Sequence, residues 1–408
     1  MFLNKAFHIS TISLGLFPVL KLSHFSLLMM IWFCLAIVLS FRNKTYKINQ
    51  SQIRVFVILS FCSLMYFFSF PFASDFNELA KQFVKSLPFL IFPIGFLLNK
   101  NVISNSIVNL ILKIFVIVTV LLNAYGWLKV LNYGFIKAWD ENNFYQPVYR
   151  TIFSEATNLH LPYLGIFSAF AGIILIYNQL KTKRIQIFLL VVLLFLVISM
   201  YFYSARMGLL CLIIGGAFLV IKQIKTVVLK IVSVVLLPCF FLLVLWISPL
   251  KERYVSALKT EMILPHKGQM PHEVNYRYGI WYCTMENIKE HLLFGVNPDQ
   301  AQNELNSCYS QFDYQSYEDF TKVNYNTHNQ YLDQFLKFGI VGSILFIVCF
   351  GYFLPKAEVL YQTFGVIVAV SFLTENYLDR QMGVVFIALF NTLFVIYNNN
   401  KREKSISS

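Results

Sequence analysis

The stretch Thr327-His328-Asn329-Gln330-Tyr331-Leu332-Asp333-Gln334-Phe335-Leu336-Lys337-Phe338-Gly339-Ile340-Val341-Gly342 decides how the chain is read. Before it lies the only long polar segment of the sequence. After it, Ser343 to Leu354 is apolar enough to read as membrane-spanning. A histidine therefore stands where an extramembrane loop meets the outer end of a spanning helix. Gln330, Gln334 and Lys337 carry polarity into that helix on one face of a 3.6-residue period. Gly339 and Gly342 offer a smooth patch where another helix can approach closely. The plain alternative is a helix start capped by Asn329, with an incidental histidine.

Composition sets the class. Of the 408 residues 57% are hydrophobic and only 13% charged, with a mean hydropathy of +0.62. Soluble domains carry about 25% charged residues, so this is an all-α polytopic membrane protein. The 42 Phe and 23 Tyr suit lipid-facing and headgroup-level positions. Met1 to Leu20 shows a weak apolar run without a small-residue cleavage site, so no cleavable signal is expected.

About twelve hydrophobic runs approach the length needed to cross hydrocarbon. They fall near 7–20, 24–41, 53–71, 83–98, 107–130, 158–178, 185–203, 208–222, 227–248, 329–354, 358–374 and 382–397. An even number places both termini on one side. That side would hold Lys5, Arg42, Lys44, Lys47, Arg54, Lys100, Lys181, Lys183, Arg184, Lys222, Lys225, Lys230, Lys356, Lys401, Arg402 and Lys404, against only Glu358 and Glu403. Such a bias marks the cytoplasmic face. The net charge of +13 is thus an orientation signal and gives no reason to invoke nucleic acid. The chain divides into a bundle over 1–248, a large outer loop over 249–328, three last spans over 329–397 and a cytoplasmic tail over 398–408.

Within the loop, Val274, Tyr278, Trp281, Met285 and Ile288 recur at helical spacing. They predict an amphipathic helix near 273–291, ended by Gly295 and Pro298, with its apolar stripe against the spans or the lipid interface. The polar segment 299–327 reads as irregular, a candidate mobile cover. Of the seven cysteines, only Cys283 and Cys308 fall in this loop. A disulfide between them and two free thiols are both open readings on the oxidising side of a membrane.

Ionisable groups that look placed rather than merely solvated lie on the outer side. The interiors of the spans read as lacking them. Arg206 sits in a very short turn between apolar helices, where a guanidinium costs energy unless it snorkels or meets an anion. With Arg277 and Arg150 it would form a cluster suited to phosphate, because the guanidinium fork binds phosphate oxygens bidentately. His328 is the nearby side chain able to take a proton near neutral pH. No Asp-x-Asp pair, Walker-type or dinucleotide glycine motif, or Gly-x-Ser-x-Gly elbow occurs. The expected chemistry therefore uses fixed cations, with no metal and no cofactor.

These residues resemble the bacterial O-antigen ligases and the related O-antigen polymerases, polytopic glycosyltransferases of the C type. The family carries a His followed by Asn, Ser or Gln, nine residues, then Gly-x-x-Gly at the end of its large periplasmic loop. Here that is His328-Asn329, nine residues, then Gly339-Ile340-Val341-Gly342. The family's Ser-x-Arg turn appears as Ser204-Ala205-Arg206, and its Arg-x-x-x-Trp helix as Arg277-Tyr278-Gly279-Ile280-Trp281. That helix leads to Phe294-Gly295-Val296-Asn297, where Asn297 replaces an expected glycine. Looser matches are Glu375 and Arg380, and Arg150 and His160 at a loop-to-helix junction. The resemblance covers the chain broadly, best from about 150 to 390.

The resemblance implies transfer of a glycan from undecaprenyl pyrophosphate to an acceptor hydroxyl at the periplasmic face of the inner membrane, without metal or nucleotide sugar. It implies His328, Arg206 and Arg277 as catalytic residues, and Arg150, His160, Asn329, Trp281, Glu375 and Arg380 as substrate-binding ones. A ligase would use lipid A-core or another surface acceptor. A polymerase would join repeat units that both stay on carrier lipid. Two readings from other classes are a lipid or polysaccharide transporter and a non-catalytic envelope scaffold.

Overall fold

The computed structural model describes residues 2–142, 147–182, 184–226, 262–265, 275–313 and 320–407. Their regular structure is helical, without a strand among the described residues. Eight helical stretches are long and apolar enough to cross a membrane, and two shorter apolar helices accompany them. The protein is a polytopic membrane protein. The expected span at 227–248 lies outside the described residues, as do Val274 and the loop parts at 249–261 and 266–274.

The chain runs through α1 (Phe2–Ser13), α2 (Leu22–Arg42), α3 (Gln50–Ser69), α4 (Phe76–Ser86), α5 (Pro88–Leu98), α6 (Asn105–Tyr133), α7 (Phe135–Glu141), α8 (Val148–Thr157), α9 (Leu161–Lys181), α10 (Ile187–Phe202) and α11 (Arg206–Gln223). After the undescribed residues come α12 (Tyr276–Glu290), α13 (Ala301–Asp313), α14 (Phe320–Val323), α15 (Gln330–Gly351), α16 (Val359–Ser371) and α17 (Gln381–Ser407). Helix α11 is held between α9 and α16, while α17 packs on α5, and α3 on α5 and α15.

The first expected span is shorter than a membrane. Helix α1 has 12 residues and continues only into a 3-10 turn at Leu14–Leu16. Gly15 lies so close to α6 that a Cβ there would meet the Ile111 carbonyl at 2.8 Å. Pro18, which offers no amide hydrogen, then turns the chain. Phe17 enters the centre of the bundle against Phe115, Phe167, Phe386 and Phe390, with ring centroids 5.2–6.3 Å apart. The fourth expected span is also divided, since Pro88 opens α5 at its first turn.

Helix α17 is the central element, with 89% of its best 18-residue window buried, against 22% for the span that contains α15. Helix α15 is therefore peripheral, and Ile344, Ile347 and Val348 are exposed along it, as suits lipid. Buried Ser and Thr in the spans mostly return their hydroxyls to carbonyls of their own helix, as Thr119 does to Phe115 and Thr363 to Val359.

A second, smaller core caps one end of the bundle. It joins Ile280, Cys283 and Ile288 of α12, Leu305, Tyr309 and Phe312 of α13, and Phe320 to Leu336 of α15. The face α12 buries is thus Gly279, Ile280, Cys283, Thr284, Asn287 and Ile288. Met285 of the expected stripe is exposed. The stripe is rotated because α12 packs on α13 of its own loop as well as on the outer end of the spanning helix α15. Segment 299–327, expected to be irregular, carries α13 and α14, with 314–319 outside the described residues. Cys283 and Cys308 form a disulfide that ties α12 to α13.

Gly339 does not serve the approach of another helix. Its φ of 64° breaks α15, and a Cβ there would collide with the backbone of Leu293 and Phe294. The loop tip at 292–296 docks into this break. The Ile340 amide donates to the Leu292 carbonyl at 2.9 Å and the Val296 amide to the Leu336 carbonyl at 2.9 Å. Backbone groups freed by the break are thereby satisfied, as they must be near hydrocarbon. Gly295, with φ 74°, makes the reciprocal approach. From Gly339 to Lys356 the helix rises about 26 Å, so with Lys356 at one interface Gly339 lies near the other edge of a roughly 30 Å hydrocarbon layer. His328 stands beyond that edge. Gly342 behaves as expected, facing Met65 of α3.

Candidate active site at the mouth of the bundle

Four helices, α9, α11, α15 and α17, begin at this end. Their N-termini follow His160, Ala205, Asn329 and Arg380. Each brings the partial positive charge of a helix N-terminus to this end of the bundle, which favours an anion, although the first amides of α15 are already taken by Asn329 and the Phe372 carbonyl.

His328 lies between two anchored neighbours. Thr327 is fully buried, its carbonyl accepts from Trp281 Nε1 at 3.1 Å, and its hydroxyl bonds Asn376 at 3.1 Å. Asn329 caps α15 by accepting from the amides of Tyr331 and Leu332, while its Nδ2 donates to the Leu373 carbonyl at 3.2 Å. His328 is left in the left-handed region at φ 47°, with its amide donating to Asn326 Oδ1 at 3.1 Å. A non-glycine residue there costs about 1–2 kcal/mol. Strain held in place by its neighbours is typical of functional positions.

The imidazole Nδ1 stands 3.6 Å from Glu375 Oε2, an ion-pair distance just beyond a hydrogen bond. Glu375 is mostly buried, which by itself would raise its pKa. His328, His160 and Arg277 together outweigh that and hold it below the usual carboxylate range. Glu375 is therefore an anion facing Nδ1, and a proton on Nδ1 leaves Nε2 open to act as a base.

Arg277 adjoins this pair, and Arg206 lies within electrostatic reach of Arg277. Arg277 donates to the Thr374 carbonyl at 3.3 Å, one residue from Glu375. Burial and the charge of Arg206 lower its pKa, and Glu375 opposes them. Two guanidiniums that repel one another, one of them beside the Glu375 carboxylate, favour a further anion near them. Arg206 is exposed at the first turn of α11, following Ser204 in the left-handed region. Its helix is pressed on α9, where Gly208 lies so near Gly165 that a Cβ would meet the carbonyl at 2.7 Å. Arg150 donates to the carbonyls of Tyr203 and Ser204 at 3.3 and 3.4 Å, clamping that turn.

His160 keeps a solvent-facing side. Packing at the mouth and the charge of Arg380 lower its pKa, Arg150 and His328 act in the same sense, and Glu375 acts against them. Arg380 is exposed just before α17. The structure thus brings all nine sequence-predicted residues to one end of the bundle. Trp281 and Asn329 hold the backbone on either side of His328. Asn297, standing where glycine was expected, adopts φ 71° itself and donates to the Phe72 carbonyl at 2.9 Å, a conformation asparagine tolerates.

One part of the site was not anticipated. Lys337 and Asp333 are buried on the polar face of α15, at the outer end of the span. Lys337 Nζ donates to Asp333 Oδ2 at 2.8 Å and to Asp379 Oδ1 at 2.9 Å. Burial would raise the Asp379 pKa, but Lys337 and Lys85 hold it low. Asp379 Oδ2 in turn accepts from Asn326 at 2.9 Å and Asn376 at 3.2 Å, the two residues that fix Thr327 and the His328 amide. Gln330 joins in, donating to Asp333 and accepting from the Leu378 amide at 2.8 Å. The polar face Gln330–Gln334–Lys337 was the available signal. Its partner lies 42 residues further on.

The chain has no match among curated proteins. Residues 191–347 match the family model described as O-antigen ligase, so the segment carrying Arg206, Arg277, His328 and the Gly339–Gly342 pair is similar to that family.

Proposed function

We propose that the protein is a glycosyltransferase of the O-antigen ligase type. It moves a glycan from undecaprenyl pyrophosphate to a hydroxyl of lipid A-core or another surface acceptor, without a metal. The observation that carries this reading is the His328–Glu375 pair set among Arg206, Arg277 and four helix N-termini. His328 Nε2 takes the proton of the acceptor hydroxyl as its oxygen attacks the anomeric carbon. The bond from that carbon to the pyrophosphate oxygen breaks, and the electron pair leaves with the carrier pyrophosphate. Arg206 and Arg277 hold that leaving group and stabilise its growing charge.

Orientation follows in the same reading. The site end faces the periplasm, both termini the cytoplasm of the bacterial inner membrane, and 249–328 forms the periplasmic loop. The Cys283–Cys308 disulfide suits that oxidising side. The test is a gel of envelope extracts from a strain lacking the gene, complemented by wild type or His328→Ala. Long carrier-linked polymer accumulates in both the null and the variant if the ligase reading holds. Accumulation of single repeat units instead would make the protein a polymerase. Wild-type glycan from the variant would remove His328 from the chemistry.

A further inference from the structure

The opposite end of the bundle holds a cavity of about 300 Å³, unconnected with the chemistry above. It opens between the first turn of α3, the end of α5 and the residues that close α15 and α17. Its lining includes the apolar Val55, Leu97, Phe353 and Ile396 and the charged Arg54, Lys100, Arg402 and Glu403. This is an amphipathic pocket whose charged lining is net cationic, three cations to one carboxylate.

These charges differ in what they do. Lys100 Nζ is matched by both carboxylate oxygens of Glu403, at 2.8 and 2.7 Å. Asn400 fixes this wall by donating to the carbonyls of Lys100 at 2.6 Å and Ile103 at 3.3 Å. The Arg402 guanidinium is tied to the Lys356 carbonyl. Arg54 is different. It is exposed on α3, and among the described residues it has no carboxylate within ion-pair distance. Tyr352, half-exposed beside the opening, is placed as tyrosines are at the headgroup level.

We infer that this cavity binds the headgroup of an anionic phospholipid, its phosphodiester on Arg54 and its glycerol root against the apolar wall. Charge complementarity selects the sign of the ligand. The apolar lining selects a lipid over a soluble anion, because free phosphate gains nothing from Val55, Leu97 and Phe353. The volume admits a headgroup but not two acyl chains, so the chains run sideways into the bilayer between α3 and α15. Basic pockets between spanning helices are a known mode of headgroup recognition.

The test uses the full chain purified in mild detergent, with phosphatidylglycerol or phosphatidylcholine added at equal mole fraction. Lipid retained per protein is counted by native mass spectrometry, and thermal stability is measured in parallel. The wild type retains phosphatidylglycerol in preference to phosphatidylcholine and is stabilised by it. Arg54→Gln lowers that preference about fivefold, the share of one cation at the membrane surface. Its stability in phosphatidylcholine stays that of the wild type, which reports folding. Arg54→Lys keeps the preference. Equal retention of the two lipids by the wild type, or an undiminished preference in Arg54→Gln, overturns the inference. Stabilisation by inorganic phosphate equal to that by phosphatidylglycerol also overturns it, in favour of a soluble anion.

Discussion

Replacing Lys337 by methionine isolates what holds the His328 segment in place. The side chain keeps an unbranched apolar stem as far as the ε position and loses the ammonium. Lys337 and Asp333 are 6% and 3% exposed, and Lys337 Nζ lies 2.8 and 2.9 Å from two carboxylates. Each contact is worth about 6 kcal/mol of gross attraction at an effective dielectric of 20, most of it offset by desolvation. What the variant leaves behind decides the outcome, since Asp333 and Asp379 then face each other without a cation between them. Removing one partner of a buried ion pair costs about 3–5 kcal/mol. Lys337→Met should lose that much in equilibrium unfolding followed by tryptophan fluorescence in mixed micelles. Adding Asp333→Asn should restore about half or more, because Asp379 keeps Asn326, Asn376 and the Lys85 charge. The two changes are then strongly non-additive. A loss below about 1 kcal/mol for the single variant, or a double variant no more stable than the single, would refute the argument.

Gly339→Ala should destabilise the protein by about 2–5 kcal/mol in the same unfolding measurement, combining left-handed backbone cost with overlap onto the Leu293 carbonyl. A cost under about 1 kcal/mol would mean that the loop tip does not dock in the helix break. Arg277→Lys should lower glycan transfer at unchanged stability, because an ammonium does not reproduce a bidentate fork. Unaltered turnover would assign Arg277 to the Thr374 carbonyl alone. Acid should destabilise the protein in two steps. His160, with its folded pKa lowered, favours the unfolded state as pH falls below the ordinary imidazole value of about 6.5. Glu375, likewise lowered, contributes stability above the ordinary carboxylate pKa that is lost as pH falls through its lower folded value. Unfolding midpoints against pH should lose the upper step in His160→Gln and the lower one in Glu375→Gln. A profile unchanged by both would remove this account.

Much of the molecule was legible because hydrocarbon permits so few solutions. Any run of about twenty apolar residues must satisfy its own backbone by forming a helix. The spans at 24–41, 53–71, 107–130, 158–178 and 329–354 accordingly match helices within a few residues. His328, Arg206 and Arg277 stood out for the complementary reason, as ionisable groups at the edge of an environment that excludes charge. The resemblance of their motifs to those of the O-antigen ligases then grouped them.

Only the tertiary structure decided what faces what. Segment 299–327 is polar because its helices pack on α12 outside the membrane, where the alternation of buried and solvated faces is weak over so short a length. Gly339 reads as a helix-packing residue until the backbone of Leu293 is seen in its place. Lys337 reads as one position of a polar face entering a spanning helix until Asp379, 42 residues further on, is seen to meet it. Local sequence fixes where a charge enters the membrane. Which opposite charge meets it depends on contacts between residues far apart in the chain, and no local periodicity encodes those.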